Sequence, residues 1–268
     1  MSTRPPAADR TPQGDAAARA PAQPVLTVVL PIFNEEKNLG RLFAGLDDSL
    51  RRKPLVYRIV AVDDGSTDGT ADVLTAFQPR VPLQVLRHAV NQGLGVAIRS
   101  GLMEALRLSS AGDIIVTMDA DESHTPSLIA RMLETIEAGH DVVIASRFQP
   151  GSRTIGVPLH RRALSVTASV ILRVLFPTPG VRDFTCGYRA YRASALQHAV
   201  ERYGDALFEF DGFQCMVDLL LKLRAVGARF AEVPIVLRYD FKLGQSKMRV
   251  FHTAMRTLQL AARRRLGR

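Results

Sequence analysis

Five short apolar runs, each closed by a polar or acidic loop, constrain this chain more than any other feature. Residues 25–30, 57–62, 83–87, 114–118 and 141–146 have the length and β-branched content of buried strands. The first is almost wholly apolar, as expected of a strand covered on both faces. Helical stretches are expected between the runs. One carries Leu39, Leu42, Phe43 and Leu46 on a single face, one opens at Asn91-Gln92-Gly93-Leu94-Gly95, and one follows Pro126. Strands and helices alternating in this way predict one α/β domain, a doubly wound, mostly parallel sheet flanked by helices. Such sheets bind ligands at the carboxyl ends of their strands.

The loops at those ends are acidic. Glu35 follows the first strand, Asp63 and Asp64 the second, Asp119 and Asp121 the fourth. Asp119-Ala120-Asp121 places two carboxylates around one small residue. That arrangement suits a hard divalent cation, Mg²⁺ or Mn²⁺, whose remaining positions are taken by diphosphate oxygens. Carboxylates at the first two strand ends can accept hydrogen bonds from a base N–H and from ribose hydroxyls. Asp68 or Ser66 is expected to cap the helix after the second strand. A Rossmann dinucleotide site is excluded, because Pro31-Ile32-Phe33-Asn34-Glu35 has no glycine where a pyrophosphate needs close backbone approach. No P-loop is present.

The second half is less regular. Residues 161–176 and 212–225 are expected to be helical and 229–237 extended, with a polar and aromatic loop or short strand over 182–191. Residues 1–24, rich in Ala, Pro and Arg, are expected to be disordered, and the domain to run over 25–248. Residues 249–268 are expected to form a basic amphipathic helix with Phe251, Met255, Leu258 and Ala262 on one side. From Lys247 onward the chain has seven Lys or Arg and no acidic residue. The net charge of +9 points to an anionic partner. No nucleic-acid module accompanies it, and the tail fits peripheral membrane contact, a docked helix with a solvated basic face, or a flexible end. No run reaches the ~18 apolar residues of a membrane span. Cys186 and Cys215 are far apart and imply neither a disulfide framework nor a zinc site, which fits a reducing, cytoplasmic setting.

Taken in order, several motifs resemble glycosyltransferase family 2, the inverting GT-A fold, and within it the dolichol- or polyprenol-phosphate mannosyltransferase branch. They are Leu30-Pro31-Ile32-Phe33-Asn34-Glu35-Glu36, Val62-Asp63-Asp64-Gly65-Ser66, Asn91-Gln92-Gly93-Leu94-Gly95, Asp119-Ala120-Asp121 and Ala145-Ser146-Arg147-Phe148. Thr185-Cys186-Gly187-Tyr188-Arg189, Glu232-Val233-Pro234-Ile235 and Gly244-Gln245-Ser246-Lys247-Met248 complete the set.

The resemblance implies that Pro31, Glu35 and Asp63 contact the nucleoside and that Phe33 lines the base pocket. It implies that Asp119 and Asp121 hold the metal and the sugar diphosphate, and that Arg147, Arg189 and Lys247 face phosphates. Relatives in this branch often carry a Gln ligand where this chain has Ser123, which leaves the third protein ligand open. The implied reaction moves a hexose, with mannose from GDP-mannose favoured, from a nucleotide sugar to a polyprenyl phosphate. A lipid phosphate needs no general base. A soluble hydroxyl acceptor would need one, and Glu209, Asp211 and Asp218 are the candidates. A non-catalytic nucleotide-sugar-binding protein is the third alternative. His124 is read as positional, and Tyr188 and Tyr191 as either lining the acceptor side or packing.

Overall fold

A computed structural model describes residues 24–51 and 55–240. The expected disorder before Pro24, the C-terminal helix and Lys247 therefore lie outside the described residues. The elements run β1 (Leu26–Ile32), α1 (Glu36–Arg51), β2 (Tyr57–Asp63), α2 (Thr70–Phe77), β3 (Leu83–Arg87), α3 (Leu94–Arg107), β4 (Ile114–Thr117) and α4 (Leu128–Glu137). They continue with β5 (Val142–Ser146), β6 (Arg153–Ile155), α5 (Leu159–Leu175), β7 (Arg189–Arg192), α6 (Ala193–Tyr203), a 3₁₀ turn (Gly204–Phe208), α7 (Gln214–Ala225), β8 (Phe230–Pro234) and β9 (Val236–Arg238).

Seven strands form one sheet in the order β3-β2-β1-β4-β7-β5-β8, with β7 antiparallel to both its neighbours and the other pairs parallel. β6 and β9 pair separately. The expected strand over 229–237 is thus two strands, broken at Ile235. Its N–H donates to the Ser146 carbonyl and its own carbonyl accepts from Arg153 N–H, so the chain changes sheet there.

The core lies on both faces of the central strands. Val28, Val29, Leu30, Val60, Ala61, Val116 and Val143 are fully buried, and Leu39, Phe43, Leu46, Leu102 and Ile129 cover them from the helices. At Gly101, on α3, a Cβ would stand 2.4 Å from Val29 Cγ1, so only glycine lets that helix lie this close to β1.

The strand order reverses between the parallel neighbours β1 and β4, and their pairing stops early. Pro31 was expected to end β1, yet the strand runs through Ile32, paired with Asp63. The carbonyl of Val29 accepts from Met118 N–H on the β4 side, and that of Ile32 accepts from Asp64 N–H on the β2 side. By alternation, the missing N–H of Pro31 falls on the β4 side, where strand pairing has already stopped at Val29 and Thr117. A proline is tolerated mid-sheet because the neighbour it cannot serve has diverged.

Loop 209–213 closes over the start of α3. Gly95 N–H donates to the Asp211 carbonyl at 2.6 Å, and a Cβ on Gly95 would stand 1.9 Å from the Phe210 carbonyl oxygen. Gly95→Ala is expected to push this loop off α3 and cost about 1–3 kcal/mol of stability. Urea denaturation checks this, and an unchanged midpoint would show that the loop gives way freely.

Candidate active site

Side chains stitch the ends of β1 and β2 together. Asn34 adopts φ +53°, its N–H donates to Ser66 Oγ at 2.9 Å, and its Oδ1 accepts from Thr67 N–H at 2.7 Å. Glu35 N–H donates to Thr70 Oγ1 at 2.9 Å, and the Glu35 carboxylate accepts from Asn38 Nδ2 at 2.6 Å. Gly69 N–H donates to Glu36 Oε2 at 3.2 Å. Neither expected cap stands at the N-cap of α2, which is Gly69 with no side-chain cap hydrogen bond: Asp68, one residue earlier, accepts from Thr70 N–H at 3.0 Å, and Ser66 accepts from Asn34 N–H.

The paired aspartates after β2 divide their work. Asp63 is buried and accepts from Ser66 N–H at 3.0 Å, which closes the turn at the strand end. Asp64, also buried, accepts from His88 Nδ1 at 2.7 Å, Gln92 N–H at 3.0 Å and Gly93 N–H at 2.9 Å. It shapes the approach to α3.

The turn after β4 carries the two motif carboxylates. Asp121 is nearly buried, and its Oδ1 accepts from both the N–H of Ser123, at 3.1 Å, and its hydroxyl, at 2.6 Å. Asp119 is more open, with 36% of its side chain accessible. Its N–H donates to Nδ1 of His124 at 3.0 Å. Glu122 sits at φ +62° and pairs with Arg41 at 2.9 Å. Ser123, in the position left open for a third metal ligand, is turned to Asp121 as a donor. Among the described residues no group of three or more His, Cys, Asp or Glu could hold a metal. Two carboxylates short of a full protein cage fit Mg²⁺, which keeps open positions for phosphate oxygens.

The expected phosphate-facing arginines are elsewhere. Arg147 forms a two-pronged pair with Asp183, Nε to Oδ2 and Nη2 to Oδ1 both at 2.7 Å, and donates also to Thr185 Oγ1. Asp183 is fully buried and is itself placed by Glu232, which accepts from the N–H groups of Arg182 and Asp183 at 2.6 Å each. Arg189 is fully buried and donates to the carbonyls of Cys186, Met216 and Phe184 at 2.7–2.8 Å. Its planar fork serves two carbonyls of the loop before β7 and one of α7, which ties that loop to the helix.

The expected general base is also internal. Asp218 is 1% exposed and pairs with buried Lys222 at 2.5 Å. Lys222 also donates to the carbonyls of Ala206 and Leu207 and pairs with Glu209. Asp211 is exposed, but the contact that places its loop is its main-chain carbonyl on Gly95. Tyr188 and Tyr191 are fully buried, and Tyr188 donates its hydroxyl to the Thr125 carbonyl at 3.0 Å. Both tyrosines pack. Burial pushes the Cys186 and Cys215 thiols up to about 12, which leaves them unreactive.

The acidic residues therefore stand at the ends of β2, β1 and β4, while Arg189 and Asp218 are buried with internal partners and the partly exposed Arg147 is paired with buried Asp183. Residues 27–199 match the profile of Glycosyl transferase family 2. The chain belongs to glycosyltransferase family 2. Within that family, it is 35% identical over 237 residues to the polyprenol monophosphomannose synthase of Mycolicibacterium smegmatis, covering 87% of this chain and 84% of that relative. It is 36% identical over 227 residues to the undecaprenyl-phosphate mannosyltransferase of Micrococcus luteus, covering 84% and 87%. Glucosyl-3-phosphoglycerate synthase from Mycobacterium tuberculosis, crystallised with Mn²⁺, UDP and glucosyl-3-phosphoglycerate, shares the GT-A fold. Its TM-score is 0.63 at 21% identity, with 91% of this chain and 80% of that one covered. The chain is a family 2 glycosyltransferase.

Sequence reading took His124 as positional without giving it a partner, and passed over Asp183. Asp183 stands alone in a loop, and nothing in its spacing marks a partner 36 residues away. Burial opposes its charge, but the attraction and hydrogen bonds of Arg147 outweigh that and hold its carboxyl below the usual carboxylate range. A carboxyl depressed on folding contributes its stability in full above the unfolded value of about 3.9 and loses it as pH falls through the folded value. Asp183→Asn is expected to cost about 3–5 kcal/mol at pH 7. The gap from wild type should narrow below about pH 4. Chemical denaturation across pH measures it, and a gap that stays constant into acid would contradict the pairing.

Proposed function

We propose that this enzyme transfers a hexose, mannose from GDP-mannose being the favoured donor, to a polyprenyl phosphate with the aid of Mg²⁺ or Mn²⁺. The observation that carries the reading is the set of fixed acidic groups at three adjacent strand ends. On this reading Asp63 and Glu35 would contact the nucleoside, with Pro31 and Phe33 beside it. Asp119 and Asp121, at the end of β4, would hold the diphosphate and its cation. Both relatives named above are, by their names, enzymes of polyprenyl-phosphate mannosyl transfer, which supports the acceptor class.

Asp119 and Asp121 would hold the cation, and the cation would offset charge growing on the departing diphosphate. The acceptor phosphate is an anion at neutral pH. Its oxygen attacks the anomeric carbon on the face opposite the diphosphate, the bond from that carbon to the leaving oxygen breaks with its electron pair, and the configuration inverts. No proton has to be removed, so the enclosure of Asp218 by Lys222 is no obstacle. A hydroxyl acceptor would require an accessible base in its place.

A lipid acceptor calls for a surface that meets a membrane. No described helix is long and apolar enough to cross one. On α5, however, Leu159, Val166, Val170 and Val174 are exposed at helical spacing, Leu159 by 80% and Val174 by 74%. The helix has no acidic residue, and Arg162 and Arg173 on it are exposed. Apolar side chains flanked by arginine suit an anionic bilayer surface. We place the peripheral contact on α5; the tail first expected to make it lies outside the described residues.

The deciding experiment offers radiolabelled GDP-mannose, UDP-glucose and UDP-N-acetylglucosamine with polyprenyl phosphate and Mg²⁺ or Mn²⁺, and partitions the products. Metal-dependent label in the organic phase is expected with GDP-mannose, and Asp121→Asn should reduce it by orders of magnitude while the protein stays folded. Label confined to the aqueous phase would replace the lipid phosphate with a soluble acceptor. Separately, Val170→Asp combined with Val174→Asp should reduce binding to anionic vesicles at least tenfold without changing the thermal midpoint. Unchanged vesicle binding would remove α5 from the membrane contact.

A further inference from the structure

The turn from Asp119 to His124 is held in a conformation that its own backbone does not favour. Glu122, which is not glycine, sits at φ +62°. Such a residue costs of order 1–3 kcal/mol and persists only where its surroundings fix it. Arg41 holds the Glu122 carboxylate, and Ser123 holds Asp121. The remaining fixture is His124.

His124 is 4% exposed, and its ring lies against Tyr188 with centroids 4.9 Å apart and planes inclined by 24°. Tyr188 is itself anchored on the Thr125 carbonyl. Nδ1 of the imidazole accepts the Asp119 N–H at 3.0 Å. A nitrogen that accepts carries no hydrogen, so the ring hydrogen is on Nε2. Nε2 lies 3.8 Å from Asp119 Oδ2. That is too long for a hydrogen bond, but close enough for the positive N–H end to attract the carboxylate. One rigid, buried ring thus addresses both the amide and the carboxylate of the more open motif aspartate.

We propose that His124 is the positioning residue of the motif: it fixes the main chain at Asp119 and biases its carboxylate toward the ligand shared with Asp121. The inference rests on the reading of Asp119 and Asp121 as the cation site. A serine or threonine at the same position would be too short to span the turn to the Asp119 amide while also stacking on Tyr188. The ring does both.

Two variants separate the hydrogen bond from the packing. His124→Phe keeps a ring on Tyr188 and lacks the acceptor, whereas His124→Asn keeps an acceptor near the Nδ1 position. In the full chain, Mn²⁺ binding followed by electron paramagnetic resonance should weaken about 10–100-fold in His124→Phe. It should recover to within about threefold of wild type in His124→Asn, the range over which single contacts vary with context. Hydrogen exchange of the Asp119 amide, read by NMR, should be slow in wild type and His124→Asn and fast in His124→Phe. A folded His124→Phe protein with wild-type Mn²⁺ affinity would overturn the proposal, as would equal loss in both variants. So would rapid exchange of the Asp119 amide in wild type, which decides the matter even if His124→Phe does not fold. Failure of wild type to bind Mn²⁺ at all would overturn the cation reading and the ligand-directed role of His124 together. The amide exchange would then show whether the hydrogen bond itself exists.

Discussion

A parallel sheet must end, and where it ends its main-chain donors and acceptors lose their partners. Everything in this protein's candidate site follows from how that is managed where β1 and β4 separate. Beyond Val29 and Thr117 the two strands no longer pair, and Pro31 has no N–H to leave unsatisfied on that side. The loops that continue from the strand ends are then closed by side chains. Asn34 and Ser66 hold each other's loops, Thr70 holds Glu35, Asp64 holds the path to α3, and His124 holds Asp119. The result is a set of carboxylates fixed around an opening rather than a flexible acidic loop, which is what a pre-organised anion and cation site requires.

The same economy governs the buried charges. Asp183, Arg189 and the Lys222–Asp218 pair lie inside, where an unpaired charge would be far costlier than a paired one, and are matched by the partly exposed Arg147, by three carbonyls and by each other. Each of these groups ties a loop of the second half to the sheet or to α7. The loop before β7 is held by Asp183 and Arg189, and the 3₁₀ turn is held by Lys222. Arg147 and Arg189, which a motif reading assigns to phosphates, here help to frame the second half of the chain.

The alternation of apolar runs and amphipathic stretches made the first half legible, because β1, β2, β4 and β5 are largely buried on both faces and so read as continuous apolar runs, while the edge strand β3 is only partly buried and shows as a shorter run. The acidic strand ends were legible for the same reason, since their spacing follows from the strands. β7 was not, because its buried Arg189 and its terminal Arg192 break the apolar pattern even though Ala190 and Tyr191 are core residues. α6 begins directly after β7, with no polar linker to mark it. The internal partners of Arg147, Arg189 and Asp218 were not legible, because motif spacing cannot distinguish a charge that faces a ligand from one paired with Asp183, with carbonyls or with Lys222. His124 was read as positional, but its partner was not legible, because that partner is a main-chain amide, which no side-chain pattern records.

The most direct measurement is a crystal structure of the full chain with Mn²⁺ and GDP, collected at a wavelength where manganese scatters anomalously. The expected result is a single strong anomalous peak bridging the Asp119–Asp121 turn and the diphosphate, with the guanine side toward Glu35 and Asp63. Arg147 and Arg189 should keep their internal partners. An anomalous peak away from the ends of β1, β2 and β4, or a diphosphate held by Arg147 after it has left Asp183, would contradict the assignment of this opening as the donor site.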